Sequence, residues 1–133
     1  MIVVDTSALI AVVKREAGSE PLERCLLLAD HAGISAVSLL EARMVAAREP
    51  RGTRLADLET IIAAAAIEII PFDAAQSDLA FEAFRRFGKG SGHKARLNFG
   101  DCAAYALAKS RAAPLLFVGD DFAHVDIAPA VAS

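Results

Sequence analysis

The strongest constraint on this chain is an alternation of short apolar runs with longer amphipathic stretches. Ile2-Val3-Val4, Ile34-Ser35-Ala36, Ile67-Glu68-Ile69-Ile70 and Leu115-Leu116-Phe117-Val118 are too short for helices and rich in residues that suit a buried strand. Between them the spacing is helical. Thr6 opens a helix that runs to about Arg15, and Pro21 sits in the first turn of a second, which carries Leu22, Leu26 and Leu27 and ends near Gly33. A third runs from about Val37 to Glu49, where Pro50 and Gly52 break it. Thr53 is placed to cap a fourth helix holding Leu55, Leu58, Ile61 and Ile62. Asp73, with Gln76 three residues on, has the capping-box pattern for a fifth reaching Phe87, and Asn98 caps a sixth from Phe99 to about Ser110. Strands alternating with helices predict an α/β domain with a mainly parallel sheet. At 133 residues the chain suits one such domain, spanning 1–133, around one core.

Ligands of such sheets bind beyond the carboxyl ends of the strands, and acids cluster at those places. Asp5 directly follows the first apolar run, and Asp120-Asp121 follow the last one after Gly119. Glu41 lies in an apolar helix start, and Asp101 occupies the third position after the capping Asn98. Each has an ordinary structural explanation. Asp5 can cap a helix, Ser38-x-x-Glu41 is a capping-box pattern, and a first-turn acid such as Asp101 favours the helix dipole. Together, however, they bring carboxylates from two strand ends and two helix starts to one sheet edge. Crowded carboxylates repel unless protons or divalent cations compensate. An all-oxygen set suits Mg²⁺ or Mn²⁺, which can activate water and neutralise a phosphodiester under attack.

Charge is unevenly spread. The net formal charge is −3, yet Arg85, Arg86, Lys89, Lys94 and Arg96 carry +5 within one stretch free of acids, leaving −8 elsewhere. A basic segment beside an acidic pocket is suited to guiding a phosphate backbone, with Lys89, Lys94 and Arg96 as the candidate RNA contacts, or is simply a solvated loop. The run Gly88-Lys89-Gly90-Ser91-Gly92-His93 matches neither a dinucleotide fingerprint nor a phosphate-binding loop and reads as a flexible loop. Cys25 and Cys102 show no paired or metal-ligand spacing, and His31, His93 and His124 no zinc-motif spacing. No apolar stretch is long enough to span a membrane, and the N-terminus lacks a secretory pattern, so the expected location is cytoplasmic. The apolar helical faces around Leu22–Leu28 and Leu55–Ile62 are either core or a partner surface.

Four segments carry a resemblance to a known family: Val3-Val4-Asp5-Thr6-Ser7-Ala8, Ser38 to Glu41, Leu97-Asn98-Phe99-Gly100-Asp101-Cys102, and Phe117-Val118-Gly119-Asp120-Asp121-Phe122 followed by Asp126-Ile127. In order and spacing the chain resembles PIN domains, and specifically the VapC-type toxins of bacterial toxin–antitoxin pairs. The resemblance implies a three-layer α/β/α domain with a mainly parallel, about five-stranded sheet. It implies that Asp5 and Asp101 are the principal Mg²⁺ ligands and that Glu41 is a third acid holding metal directly or through water. The fourth acid matches Asp121, with adjacent Asp120 leaving that choice open, while Thr6 or Ser7 orients Asp5 or a bound water. The implied activity is endonucleolytic RNA cleavage, of tRNA or ribosomal RNA, by a homodimer silenced by a VapB-type antitoxin.

Two other readings bear weighing. A phosphatase with Asp5 as nucleophile wants a second aspartate two residues on, where Ser7 stands. A catalytically inactive RNA-binding module of the same fold would bind RNA without shortening it.

Overall fold

The computed structural model describes residues 1–131. The strands are β1 (Ile2–Val4), β2 (Ala32–Ser35), β3 (Glu68–Ile70) and β4 (Leu115–Leu116). The helices are α1 (Thr6–Val13), α2 (Glu20–Leu28), α3 (Ala36–Ala46), α4 (Thr53–Ala64), α5 (Ala74–Phe87) and α6 (Phe99–Arg111). All strand pairs are parallel, in the order β3-β2-β1-β4. The register aligns Val3 with Gly33 and with Leu115, so the carboxyl ends of all strands meet at one edge. From β1 the chain steps outward to β2 and β3, then returns to place β4 on the other side of β1. The order therefore reverses between β1 and β4, where open parallel sheets form their binding crevice.

Successive strand residues face opposite layers. Val4, Ala32, Ile34 and Leu116 pack against Leu9, Leu26, Leu39 and Leu58 of α1–α4, while Val3, Ile70 and Leu115 pack against Phe87, Tyr105 and Leu107 of α5 and α6. The result is the expected three-layer sandwich. It buries the larger part of the two helical faces left undecided by sequence: Leu22, Leu26, Leu58 and Ile62 are core, and only Leu27 and Leu28 at the end of α2 stay exposed. No helix among the described residues is long and apolar enough to cross a membrane.

Several expectations need correcting. Among the described residues the sheet has four strands rather than about five. Within those residues the segment after β4 offers only an isolated parallel bridge between Leu115 and Pro129, made by the Leu115 N–H to the Ala128 carbonyl and the Ala130 N–H to the Leu115 carbonyl. The last strand stops at Leu116 rather than Val118, and α2 ends at Leu28, where Ala29 turns extended. α4 is preceded by Gly52 in a left-handed conformation, with Thr53 already helical. Asp73 caps α5 through the Gln76 N–H, but the Gln76 side chain reaches the Pro71 carbonyl instead of closing the box.

Candidate metal centre at the carboxyl edge of the sheet

Asp5 leaves β1 in extended conformation and caps α1. Its Oδ2 accepts hydrogen bonds from the Ser7 N–H at 3.0 Å and the Ser7 hydroxyl at 2.6 Å. The Ser7 hydroxyl oxygen in turn accepts the Val118 N–H at 3.0 Å. One serine thus ties the end of β1 to the chain leaving β4. Thr6 points elsewhere, donating its hydroxyl to the Ser38 carbonyl at 2.8 Å and joining α1 to α3.

Asn98 and Asp101 form a reciprocal capping box at the start of α6. Asn98 Oδ1 accepts the Asp101 N–H at 2.9 Å, and Asp101 Oδ2 accepts the Asn98 N–H at 3.0 Å. Both readings of Asp101 therefore hold, since it caps the helix and is also buried at the crevice. The capping box suspected at Ser38 and Glu41 is absent. Ser35 caps α3 through the Val37 N–H, Ser38 lies inside the helix with its hydroxyl buried and lacking a hydrogen-bond partner, and Glu41 is free of capping duty. Its carboxylate lies against Gly100 in the first turn of α6.

The electrostatics show which acids meet. Burial pushes the Asp5 carboxyl from an ordinary 3.8 up to about 6, although the Ser7 hydrogen bonds oppose the rise; the charges of Glu41 and Asp121 add to it. Burial likewise lifts Asp101 to about 7 against its hydrogen bond from Asn98, with further upward pushes from nearby Asp121 and Asp5. Asp5, Glu41, Asp101 and Asp121 thus form one interacting group. Asp120 does not join it. Gly119, with φ of 98°, turns the chain there, and Asp120 lines a separate surface hollow with Gly18, Leu22 and Phe117.

Among the described residues, no three His, Cys, Asp or Glu side chains close on one point as a ready-made metal cage. That geometry still fits Mg²⁺, which usually takes one or two carboxylates and fills its octahedron with waters and substrate phosphate. The donor set is all oxygen, and Asp5 engages Ser7 through Oδ2 alone, which keeps Oδ1 out of those hydrogen bonds.

The basic candidates sit on the exposed loop that delivers Asn98 to α6. Arg86 is drawn to Asp126 at 3.7 Å and Arg85 to Glu82 at 3.4 Å, whereas Lys89, Lys94 and Arg96 have no acidic partner among the described residues. Sequence reasoning gave no role to Gly100, whose closeness to Glu41 is a contact between distant segments, nor to Asp126. That residue accepts the Tyr105 hydroxyl at 2.7 Å and Lys109 Nζ at 2.8 Å, fastening the chain after β4 to α6.

Comparison with known proteins agrees with this architecture. The PIN domain family model matches residues 2–128. Ribonuclease VapC42 of Mycobacterium tuberculosis (strain ATCC 25618 / H37Rv) is 40% identical over 128 residues, covering 96% of this chain and 98% of the relative. Ribonuclease VapC30 of the same strain is 44% identical over 130 residues, covering 95% of each. Among solved structures, VapBC-5 from Mycobacterium tuberculosis, described as a member of the VapBC family of toxin–antitoxin systems, superposes with a TM-score of 0.65 at 29% identity, covering 98% of this chain and 94% of that one. With the model matched across almost the whole chain and relatives this close, the protein belongs to the PIN-domain family and, within it, to the VapC type.

Proposed function

We propose that the protein is an Mg²⁺-dependent endoribonuclease, the toxin of a VapBC-type pair. The observation that carries this reading is the meeting of Asp5, Glu41, Asp101 and Asp121 at the sheet's switch point, where burial, with the neighbouring negative charges adding to it, raises Asp5 and Asp101 toward neutrality. A divalent cation relieves that repulsion without protons. Asp5 and Asp101 would hold it, with Glu41 and Asp121 as direct or water-mediated partners; Mn²⁺ has the same oxygen preference and can substitute. When bound, the ion supplies positive charge to the scissile phosphate and acidifies a water for attack. The protein's own part is orientation. Ser7 locks one oxygen of Asp5, and Asn98 locks one oxygen of Asp101, so each acid presents a fixed face to the crevice. Lys89, Lys94 and Arg96 guide the RNA backbone toward that crevice.

The substrate class is tRNA or ribosomal RNA, and the natural inhibitor is a VapB-type antitoxin made in the same cytoplasm. We further read the functional unit as a homodimer. The support is an exposed apolar face on α5 and the start of α6, where Phe81, Phe84 and Phe99 are uncovered around a groove of about 420 Å³. Such a face on an isolated protomer marks an interaction surface.

The test is incubation of antitoxin-free protein with total RNA, with Mg²⁺ or with EDTA, alongside Asp101→Asn. Discrete fragments that need both metal and Asp101 are expected. Full activity in EDTA, or in Asp101→Asn, would refute the metal-site reading. Binding without shortening of the RNA would leave a non-catalytic module.

A further inference from the structure

We infer that Gly100 is a positioning residue for the acidic site, its missing side chain being what lets the Glu41 carboxylate rest on the first turn of α6 beside Asp101. The inference depends on the metal-nuclease reading above and adds a residue to it.

A Cβ built on Gly100 would meet Glu41 Oε1 at 2.5 Å, Oε2 at 2.8 Å and Cδ at 2.9 Å, so its three nearest neighbours all belong to one carboxyl group. Backbone freedom does not explain this glycine. Gly100 is the second residue of a regular helix and does not have the positive φ of Gly119. Alanine is the better helix former at such a position, so what glycine provides here is room. The room is occupied by an anion at the positive end of a helix, a favourable placement for charge. Glu41 comes from α3, an element packed on α6 but nearly sixty residues away in sequence. The glycine therefore sets how closely the Glu41 carboxylate from α3 approaches the first turn of α6, in a group where its charge acts on Asp5.

An added methyl group would press on the end of a flexible side chain rather than on backbone. Glu41 can rotate away, leaving the fold standing while the acid is displaced from Asp5 and Asp101. The substitution thereby acts through Glu41, and that dependence separates positioning from a general packing defect.

The experiment is a double-mutant cycle of Gly100→Ala and Glu41→Ala, read by RNA cleavage, by Mn²⁺ affinity from calorimetry and by thermal unfolding. Gly100→Ala is expected to fold, to cleave about 10–100-fold more slowly and to bind Mn²⁺ correspondingly less tightly. The same change in the Glu41→Ala background should alter neither quantity. Glu41→Asp, which shortens the acid, should restore part of the loss in Gly100→Ala. Should Gly100→Ala fail to fold while the double variant folds, the clash with Glu41 is again the cause and the inference stands. Wild-type cleavage and Mn²⁺ affinity in Gly100→Ala would overturn it, as would an equal loss, or equal misfolding, in both backgrounds. A wild-type protein that neither cleaves RNA nor binds Mn²⁺ would instead remove the nuclease reading and this inference with it.

Discussion

Replacing Asp5 by asparagine is expected to stabilise the metal-free protein while abolishing cleavage. Asparagine keeps an acceptor oxygen for the Ser7 N–H and hydroxyl, and it caps helices about as well as aspartate. What it removes is a buried negative charge. The Asp5 carboxyl stands near 6 in the fold against 3.8 for the free side chain, and a tenfold change in proton affinity corresponds to about 1.36 kcal/mol. The ionised carboxylate therefore costs the metal-free fold on the order of 3 kcal/mol once the pH is well above 6. The direction follows from proton linkage. A carboxyl raised by folding holds its proton more tightly in the native state. It favours the fold fully below about pH 4 and loses that advantage as the pH rises through about 6. Urea unfolding in EDTA should thus find Asp5→Asn about 2–3 kcal/mol more stable than wild type near pH 7.5 and nearly equal to it near pH 4. Added Mg²⁺ should narrow the gap by stabilising the wild type alone. The reasoning is refuted if the variant gains nothing near pH 7.5, or if the same gain persists near pH 4, where Asp5 is already neutral.

Three further outcomes follow from the structure. Asp121→Asn is expected to slow cleavage roughly 10–100-fold, while Asp120→Asn, outside the acidic group, should leave the rate near wild type; the reverse ranking in the RNA assay would reassign the fourth acid. Burial alone would raise Asp126, but hydrogen bonds from Lys109 and Tyr105 hold it down at about 2, so its contribution to stability is present above the ordinary 3.8 and lost as the pH falls through about 2. Tyr105→Phe should accordingly cost about 1 kcal/mol at neutral pH and progressively less in acid, and a deficit unchanged at about pH 2 in urea titrations would contradict this. Phe81→Glu, placed on the exposed apolar face, should shift sedimentation toward monomer while preserving the far-ultraviolet spectrum, and an unchanged species would exclude that face as the dimer contact.

Much of this protein was legible in the sequence because the relevant signals are local. Alternating apolar runs and helical spacing specified an α/β sandwich, since burying one face of each strand and helix leaves few other arrangements. Asn98 announced its helix because a cap acts on a backbone N–H only three residues away. Asp5 and the Asp120-Asp121 pair stood out because each comes just after an apolar run, Ile2–Val4 or Leu115–Val118.

Other features depended on segments distant in the chain. Ser38 and Glu41 match a capping box in sequence, yet Ser35 caps the helix because the strand hands over to it three residues earlier. The expected fifth strand is reduced to one bridge between Leu115 and Pro129, where the chain returns to β4. Asp120 and Asp121 are neighbours of identical chemistry, and only the turn at Gly119 directs one toward Asp5 and Asp101 and the other away. Gly100 and Glu41 have no sequence relationship at all. Periodicity and capping act over a few residues and can be read from the chain, whereas the approach of two carboxylates depends on how separate helices pack, and packing distance is a property of the folded whole.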